Sequence, residues 1–567
     1  MTEHGFRRNH GKRVLSPEFS SSDNPLKGPR LTRRLFGRAL MTMSALAAAR
    51  SMPLSSALAA EPIKIGFGMA QSGPLGGNGK AALLAIEMWR DNINGRGGLL
   101  GRPVQLIYYD DQTNPALIPG IYSKLFDVDK VDLVLGGYGT AVQAAALPIV
   151  MQRKQVLIGT GAVAVNEKYN YDKYFQMLPN GATARTSTSE GFFQAAMTME
   201  PKPKTVAIVG ALTEFSHNVI LGARENAEKF GLKIVYDQGY PSNQMEFGSI
   251  IRSIQAANPE VVFVASYPPD SAGVIRAAYE QKLKTRIFGG AMIGLQYSEL
   301  KQQLGPMMND VLCYEFYVPA PTTNFPGIKE FLQTYQARAK TVGADLLGFY
   351  LPPYAYAGME ILEKAVTATK GLDANAIGRY IHETTFDTVV GKVTFAPNGD
   401  WAKPRLLYVQ YRDIVGNDLD QFKQSGKQII VEPQEFGRNG RAAWHQWQRE
   451  EHDFKVHHGG GYTDLGSGDD RGRRTAIRSI DHEDKGRRRP GSRTGAGGPA
   501  ALSEAYRRGE PTARRIPANG APNDPPKPRL LLCRISKVAR TSTAAFWQHE
   551  RRRTANACLG PRLDNRS

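Results

Sequence analysis

The stretch KIGFGMAQSGPLGGNGKAALLAIEMW, residues 64–89, places an apolar run, a glycine-rich loop and a helix-forming run in that order. Phosphate-cradling loops begin in the same way, so the first question is whether a nucleotide binds here. A P-loop needs a glycine, four residues, then Gly-Lys and a Ser or Thr, so that backbone N–H groups wrap the phosphates. Gly79-Lys80 is followed by Ala81, and the leading glycine position holds Pro74, which has no N–H to give. A dinucleotide fingerprint requires G-x-G-x-x-G, and Gly66-Phe67-Gly68-Met69-Ala70-Gln71 lacks the third glycine. What remains is a β-loop-α unit whose helix N-terminus favours small anions.

The same alternation continues outward. Strand-like runs are read at 63–69, 104–109, 131–135, 156–159, 205–210, 233–236, 261–265 and 286–289. Amphipathic segments fall between them, at 81–93, 116–126, 247–257 and 271–281. Short apolar runs separated by helices indicate parallel sheets covered on both faces, an α/β class. The pattern restarts after Pro179 with TVAIVG, which predicts two similar lobes and a cleft between them.

The chain of 567 residues carries a net charge of +19, but the charge sits at its ends. Residues 1–60 hold ten Lys+Arg against three Asp+Glu, and residues 451–567 hold twenty-four against thirteen. The 390 residues between are left with 38 basic and 37 acidic side chains. A neutral body gives no reason to expect nucleic acid as a partner. Near the front, Thr32-Arg33-Arg34-Leu35-Phe36 precedes an alanine-rich stretch that ends in the A-x-A pattern Ala57-Leu58-Ala59. Residues 1–60 therefore resemble a twin-arginine (Tat) export signal, and a soluble, periplasmic product is expected. No cysteine precedes Cys313, so no lipid-attachment site follows the signal, and Cys313 reads as a buried small apolar residue. Residues 441–567 are rich in arginine and lack apolar periodicity, which reads as a disordered extension or a reading frame run past its proper end.

The ordered set of motifs resembles the periplasmic solute-binding proteins of branched-chain amino acid ABC transporters. It begins at IKIGFGMAQSGPLGGNGKAALLAIEMWRDNINGRGGLLGRPVQLIYYDDQTNP and continues through DKVDLVLGGYGTAVQAAALPI, SYPPDSAGVIRAAYEQKLKTRIFGG, YAYAGMEILEKAV, VVGKVTFAPNGDW and KQIIVEP. The resemblance covers about residues 61–436. It implies two Rossmann-like lobes joined by three crossovers, the type I periplasmic-binding-protein fold. The N-terminal lobe would comprise 61–179 and 318–402, and the C-terminal lobe 180–317 and 403–440. It also implies a monomer without cofactor that closes on a small carboxylate-bearing solute and hands it to an ABC permease in the membrane.

In that family, backbone N–H and hydroxyl groups of the first lobe hold the ligand carboxylate. The matching positions are Tyr138, Gly139 and Thr140, and Gly161, Ala162 and Val163, with Ser72 of the opening loop nearby. Thr140 is expected to donate its hydroxyl, to cap the helix that begins at Ala141, or both. Tyr267 matches the family's second-lobe tyrosine, and Phe215 falls in a loop where a ring often covers the ligand. Asn78 stands where the family carries a specificity-setting aromatic. The glutamate that pairs with a ligand ammonium falls at Ala291, with no acid beside it. A buried ammonium without a carboxylate is costly, so the ligand expected is an amine-free carboxylate, aromatic in kind. An alignment shifted by a few residues, or Asp270 turning inward, is the competing reading and would admit an ordinary amino acid.

For catalysis there is no H-E-x-x-H, no paired-cysteine zinc spacing and no G-x-S-x-G elbow. Binding is therefore expected rather than turnover. A receptor feeding a sensor, and an α/β enzyme on the same scaffold, stay open as alternatives.

Overall fold

The computed structural model describes residues 61–437 and 440–449. The twin-arginine motif and residues 450–567 lie outside the described residues. From its N-terminus the chain lays down β1 (Ile63–Gly68), α1 (Gly76–Gly95), β2 (Val104–Tyr109), α2 (Ile118–Asp127), β3 (Leu133–Tyr138), α3 (Thr140–Gln152), β4 (Leu157–Gly161) and β5 (Tyr174–Gln176). These strands form a parallel sheet in the order β2-β1-β3-β4-β5.

The chain then crosses to a second body, with α4 (Ala184–Ala196), β6 (Thr205–Ala211), α5 (Glu214–Lys229), β7 (Lys233–Tyr240), α6 (Gly248–Ala257), β8 (Val261–Ser266), α7 (Pro268–Glu280), β9 (Ile287–Met292), α8 (Ser298–Leu304) and β10 (Leu312–Glu315). Its parallel strands run β10-β9-β8-β6-β7. Taken from the other edge this is the order of the first sheet, so the repeat seen at TVAIVG is a repeat of topology.

After β10 the chain returns to the first lobe as α9 (Ile328–Val342), α10 (Leu351–Thr369), α11 (Ala374–Glu383) and the hairpin β11 (Phe386–Thr388) and β12 (Gly391–Val393). Helix α10 packs on α1, where buried Trp89 donates its indole N–H to Glu363 at 2.9 Å. A third crossing adds β13 (Leu407–Tyr411) and β14 (Gln428–Glu432) antiparallel to the edge at β10. The crossings are pinned to each other. Arg405 N–H donates to the Pro179 carbonyl, and Gly181, at φ +85°, lies so close to Pro404 that a Cβ would meet it at 2.7 Å.

The folded body extends past residue 440. Helix α12 (Gly440–Arg449) carries Trp444 and Trp447, which are buried, stacked at 5.0 Å and bonded to Thr198 and Asp310. Placing 441–449 with the arginine-rich extension was therefore incorrect. The two indoles, three residues apart, share one helix face, and the surrounding charge masked that signal.

One ion pair is fully inside the second lobe. Lys301 Nζ lies 2.6 Å from Glu315, each side chain 1 % exposed, and also donates to Gln428 and Tyr411. Lys301→Met would leave Glu315 charged and uncompensated, and should cost about 3–5 kcal/mol in denaturant unfolding. Lys301→Met combined with Glu315→Leu should recover most of that loss.

The third crossing holds a buried acid. Burial first, and then the charge of Glu167, push the Asp400 carboxyl from 3.8 to about 7. The folded chain thus holds this proton more tightly than the unfolded chain. The stability it contributes is complete below the unfolded value and is lost as pH rises through the folded value. Asp400→Asn should raise Tm relative to wild type at about pH 8 and give a smaller gain at about pH 5, as followed by circular dichroism.

Candidate functional site

Ligands of open α/β sheets bind beyond the carboxyl ends of the strands, where neighbouring connections leave in opposite directions. Here that point lies between β1 and β3 in one lobe and between β6 and β8 in the other. The loops at these strand ends meet in an aromatic cage. The first lobe supplies Tyr138, Gly139 and Thr140 from the end of β3 into α3, Gly161, Ala162 and Val163 from the end of β4 onward, and Leu178. The second supplies Phe215, Tyr267, Ile293 and Tyr314, and the returning chain adds Tyr350. With the lobes in this arrangement the space between these walls is about 10 Å³.

The β3–α3 turn is built for close backbone approach. Gly139 has φ +117°, a value that excludes ordinary side chains, and its N–H donates to the Gly161 carbonyl at 2.8 Å. A Cβ on Gly161 would meet the Tyr138 ring at 2.7 Å. Helix α3 starts at Thr140, so the N–H groups of its first turn have no partner within the helix and face an anion-favouring end. Thr140 makes no cap to its own helix. Its hydroxyl oxygen accepts the Val163 N–H at 3.2 Å, which leaves the hydroxyl proton to donate elsewhere.

The tyrosines form the rest of the lining. The Tyr138 and Tyr350 hydroxyls are 3.1 Å apart, with their rings edge to face. Tyr350 stacks on Phe316 at 4.8 Å, and Phe215 lies 5.2 Å from Tyr267. Burial raises Tyr138, Tyr314 and Tyr350 well above the ordinary phenol value, and Tyr267 likewise. They are neutral groups able to donate.

The structure places several expected residues differently. Ser72 is exposed and bound to a neighbour, donating its hydroxyl to Asp110 at 2.6 Å, so it ties the opening loop to the end of β2 rather than lining the cage. Ala291 is buried inside β9, in register with Ala265, and Ile293 two residues later takes the lining position. Phe215 lines the cage from the first turn of α5, not from a loop. Asn78 lies in the first turn of α1 beside a separate small cavity that also borders Tyr350. Asp270 is held by the Tyr267 N–H and the Tyr240 hydroxyl, and burial raises its carboxyl.

Sequence reasoning missed Tyr350, Tyr314, Ile293 and Leu178. It also missed an outer cavity of about 370 Å³ at the mouth, bordered by Leu75, Thr113, Gly139, Glu214, Tyr267 and Asp270. Glu214, on the first turn of α5, is also raised by burial. Among the described residues no group of His, Cys, Asp and Glu is arranged to hold a metal, and no helix is long and apolar enough to cross a membrane. Cys313 is buried, its thiol pushed up to about 12 by burial.

A sequence model of the periplasmic binding protein family matches residues 62–411. The chain belongs to that family. The leucine-, isoleucine-, valine-, threonine- and alanine-binding protein of Pseudomonas aeruginosa is 24% identical to this periplasmic binding protein over 379 residues, covering 66% of this chain and 94% of the relative. Two solved structures share the fold. The branched-chain amino acid transporter substrate-binding protein of Streptococcus pneumoniae, in complex with isoleucine, aligns with a TM-score of 0.54 at 18% identity, over 62% of this chain and 97% of its own. An ABC transporter solute-binding protein from R. palustris, in complex with benzoate, gives 0.55 at 16% identity, over 66% and 97%.

The buried phenols give a direct check. In an alkaline titration followed by tyrosine absorbance, Tyr138, Tyr314 and Tyr350 should stay neutral well past the ordinary phenol value of 10.0 and ionise only as the protein unfolds. Ionisation of all tyrosines in one step before unfolding would contradict the burial of the cage.

Proposed function

We propose that this chain is the extracytoplasmic solute-binding component of an ABC importer, a monomer that shuts its two lobes on a small amine-free carboxylate and delivers it to a membrane permease. The observation that carries this reading is the chemistry of the cage. Its walls contain backbone N–H groups at the start of α3, the Thr140 hydroxyl and four tyrosine hydroxyls, but no acidic side chain. A carboxylate meets donors there, and an ammonium would meet none of the charge it needs. The surrounding rings of Phe215, Tyr267 and Tyr350 favour a flat apolar body, so an aromatic acid is the proposed class. The solute-binding protein from R. palustris, which has the same fold, holds benzoate, and that supports the reading.

Because the walls come from both lobes, a solute enters as they part and is enclosed as they close. Contact with both lobes at once then shifts the population toward the closed form. A second reading rests on Glu214 and Asp270 at the mouth, where an α-amino group would find anionic partners. This is the branched-chain amino acid reading.

A thermal-shift comparison of the full chain against benzoate, aliphatic acids, leucine and valine separates the two. A ligand at a hundredfold excess over its Kd adds about 2.7 kcal/mol to native stability. The expected result is a clear rise in Tm with benzoate and none with leucine. A rise with leucine or valine and none with the acids would overturn the proposal in favour of the second reading.

A further inference from the structure

Beside the aromatic cage lies a second, separately bounded cavity, about 10 Å³ in volume and lined by Asn78, Gln296, Tyr297, Asp345 and Tyr350 among others. Tyr350 borders both spaces. Asn78 reaches this cavity from the first turn of α1 in the first lobe, and Gln296 from the turn after β9 in the second. Such a volume admits one water-sized group.

One of its walls presents an unpartnered acceptor. Gln296 is 1 % exposed, and its amide Nε2 is spent on the Tyr314 carbonyl at 2.5 Å, while its Oε1 is buried with no partner. Asp345 is buried as well. It accepts N–H bonds from Ser298 and Gly348, and its carboxylate has further acceptor capacity. An orphaned buried acceptor is costly, and the Gln296 oxygen needs a donor.

We propose that this cavity is an acceptor subsite for a neutral hydrogen-bond donor, a phenolic hydroxyl, at the end of the solute remote from its carboxylate. The inference rests on the aromatic-carboxylate reading above and makes it narrower: the solute is a hydroxylated aromatic acid. A cation is disfavoured, because burial raises the Asp345 carboxyl and so opposes its charged form. Since Asn78 and Gln296 belong to different lobes, a hydroxyl bonded to both is held only when the lobes are together. The group that confers selectivity would then also favour closure.

The test is isothermal titration of the full chain with benzoate and with 4-hydroxybenzoate, in wild type and in Gln296→Met and Asn78→Leu. The readout is the ratio of the two dissociation constants, with thermal melting to establish that each variant is folded. Wild type should prefer the hydroxylated acid by about tenfold, the equivalent of one well-formed buried hydrogen bond. The ratio should fall toward one in both variants. Asn78→Leu leaves the Gln296–Tyr314 bond in place, so loss of the preference there cannot come from a loosened Tyr314. Equal affinities in wild type, or a preference that survives both substitutions, overturns the subsite while leaving the carboxylate reading intact. Binding of leucine with neither aromatic acid bound overturns both.

Discussion

A parallel sheet wound in the order 2-1-3-4-5 has one place where adjacent connections depart to opposite faces, and this chain builds that sheet twice. That constraint decides where a solute can bind and which residues can reach it. At the switch point no helix covers the strand ends, so the loops there are free to bind. With three crossings fixing the two sheets beside each other, the loops after β3 and β4 come up against those after β6, β8 and β9. The residues at these strand ends, Tyr138, Gly161, Tyr267 and Ile293, are therefore set by topology before any of them is set by chemistry.

The two lobes treat charge in contrasting ways. Deep in the second lobe, Lys301 and Glu315 are tolerated because the ammonium is also bonded to Gln428 and Tyr411 and the carboxylate to the Tyr411 hydroxyl. Such a pair is permanent, so each charge always has its partner. The cage cannot work that way, since its partner would come and go. A fixed cation there would be left buried and unpaired whenever the site held no anion. Helix N–H groups and phenols avoid this, because they carry dipoles rather than charge and cost far less to desolvate.

Much of the fold was legible because strands and helices differ in period. The runs at 104–109 and 261–265 and the restart at TVAIVG follow directly from apolar alternation, and the sheets fall where those runs are. Helix α1 was read from Ala81 but starts at Gly76, since Gly76-Gly77-Asn78-Gly79 has weak intrinsic preference for helix. Tertiary contact decides it instead: a Cβ on Gly79 would fall 1.8 Å from the Ala70 carbonyl oxygen, so only glycine lets this turn approach β1. The site was harder to read. Tyr350 arrives on the returning chain, more than two hundred residues after Tyr138, and nothing local in the sequence marks it as that residue's partner. The offset from Ala291 to Ile293 has a similar cause. A strand end shows which residues alternate, but not where the chain turns out of the sheet, and the side chain that meets the cleft is the one just beyond that point.

The lobes also touch directly. Asn218 of α5 donates to the Val163 carbonyl of the first lobe at 2.9 Å. This contact exists without help from a solute, so the closed arrangement has its own stabilisation and its own small cavity. A ligand shifts such an equilibrium only by the difference between its interactions in the two states. Proposed interactions confined to the first lobe, such as those at the start of α3, are the same whether the lobes are together or apart, and would set affinity without driving closure. In the proposed binding mode closure is driven by groups on the other side: the rings of Phe215 and Tyr267, Ile293 and, through the remote end of the solute, Gln296. On that proposal, affinity and closure fall to opposite ends of one small molecule. A solute that fits only the carboxylate end would bind without bringing the lobes together.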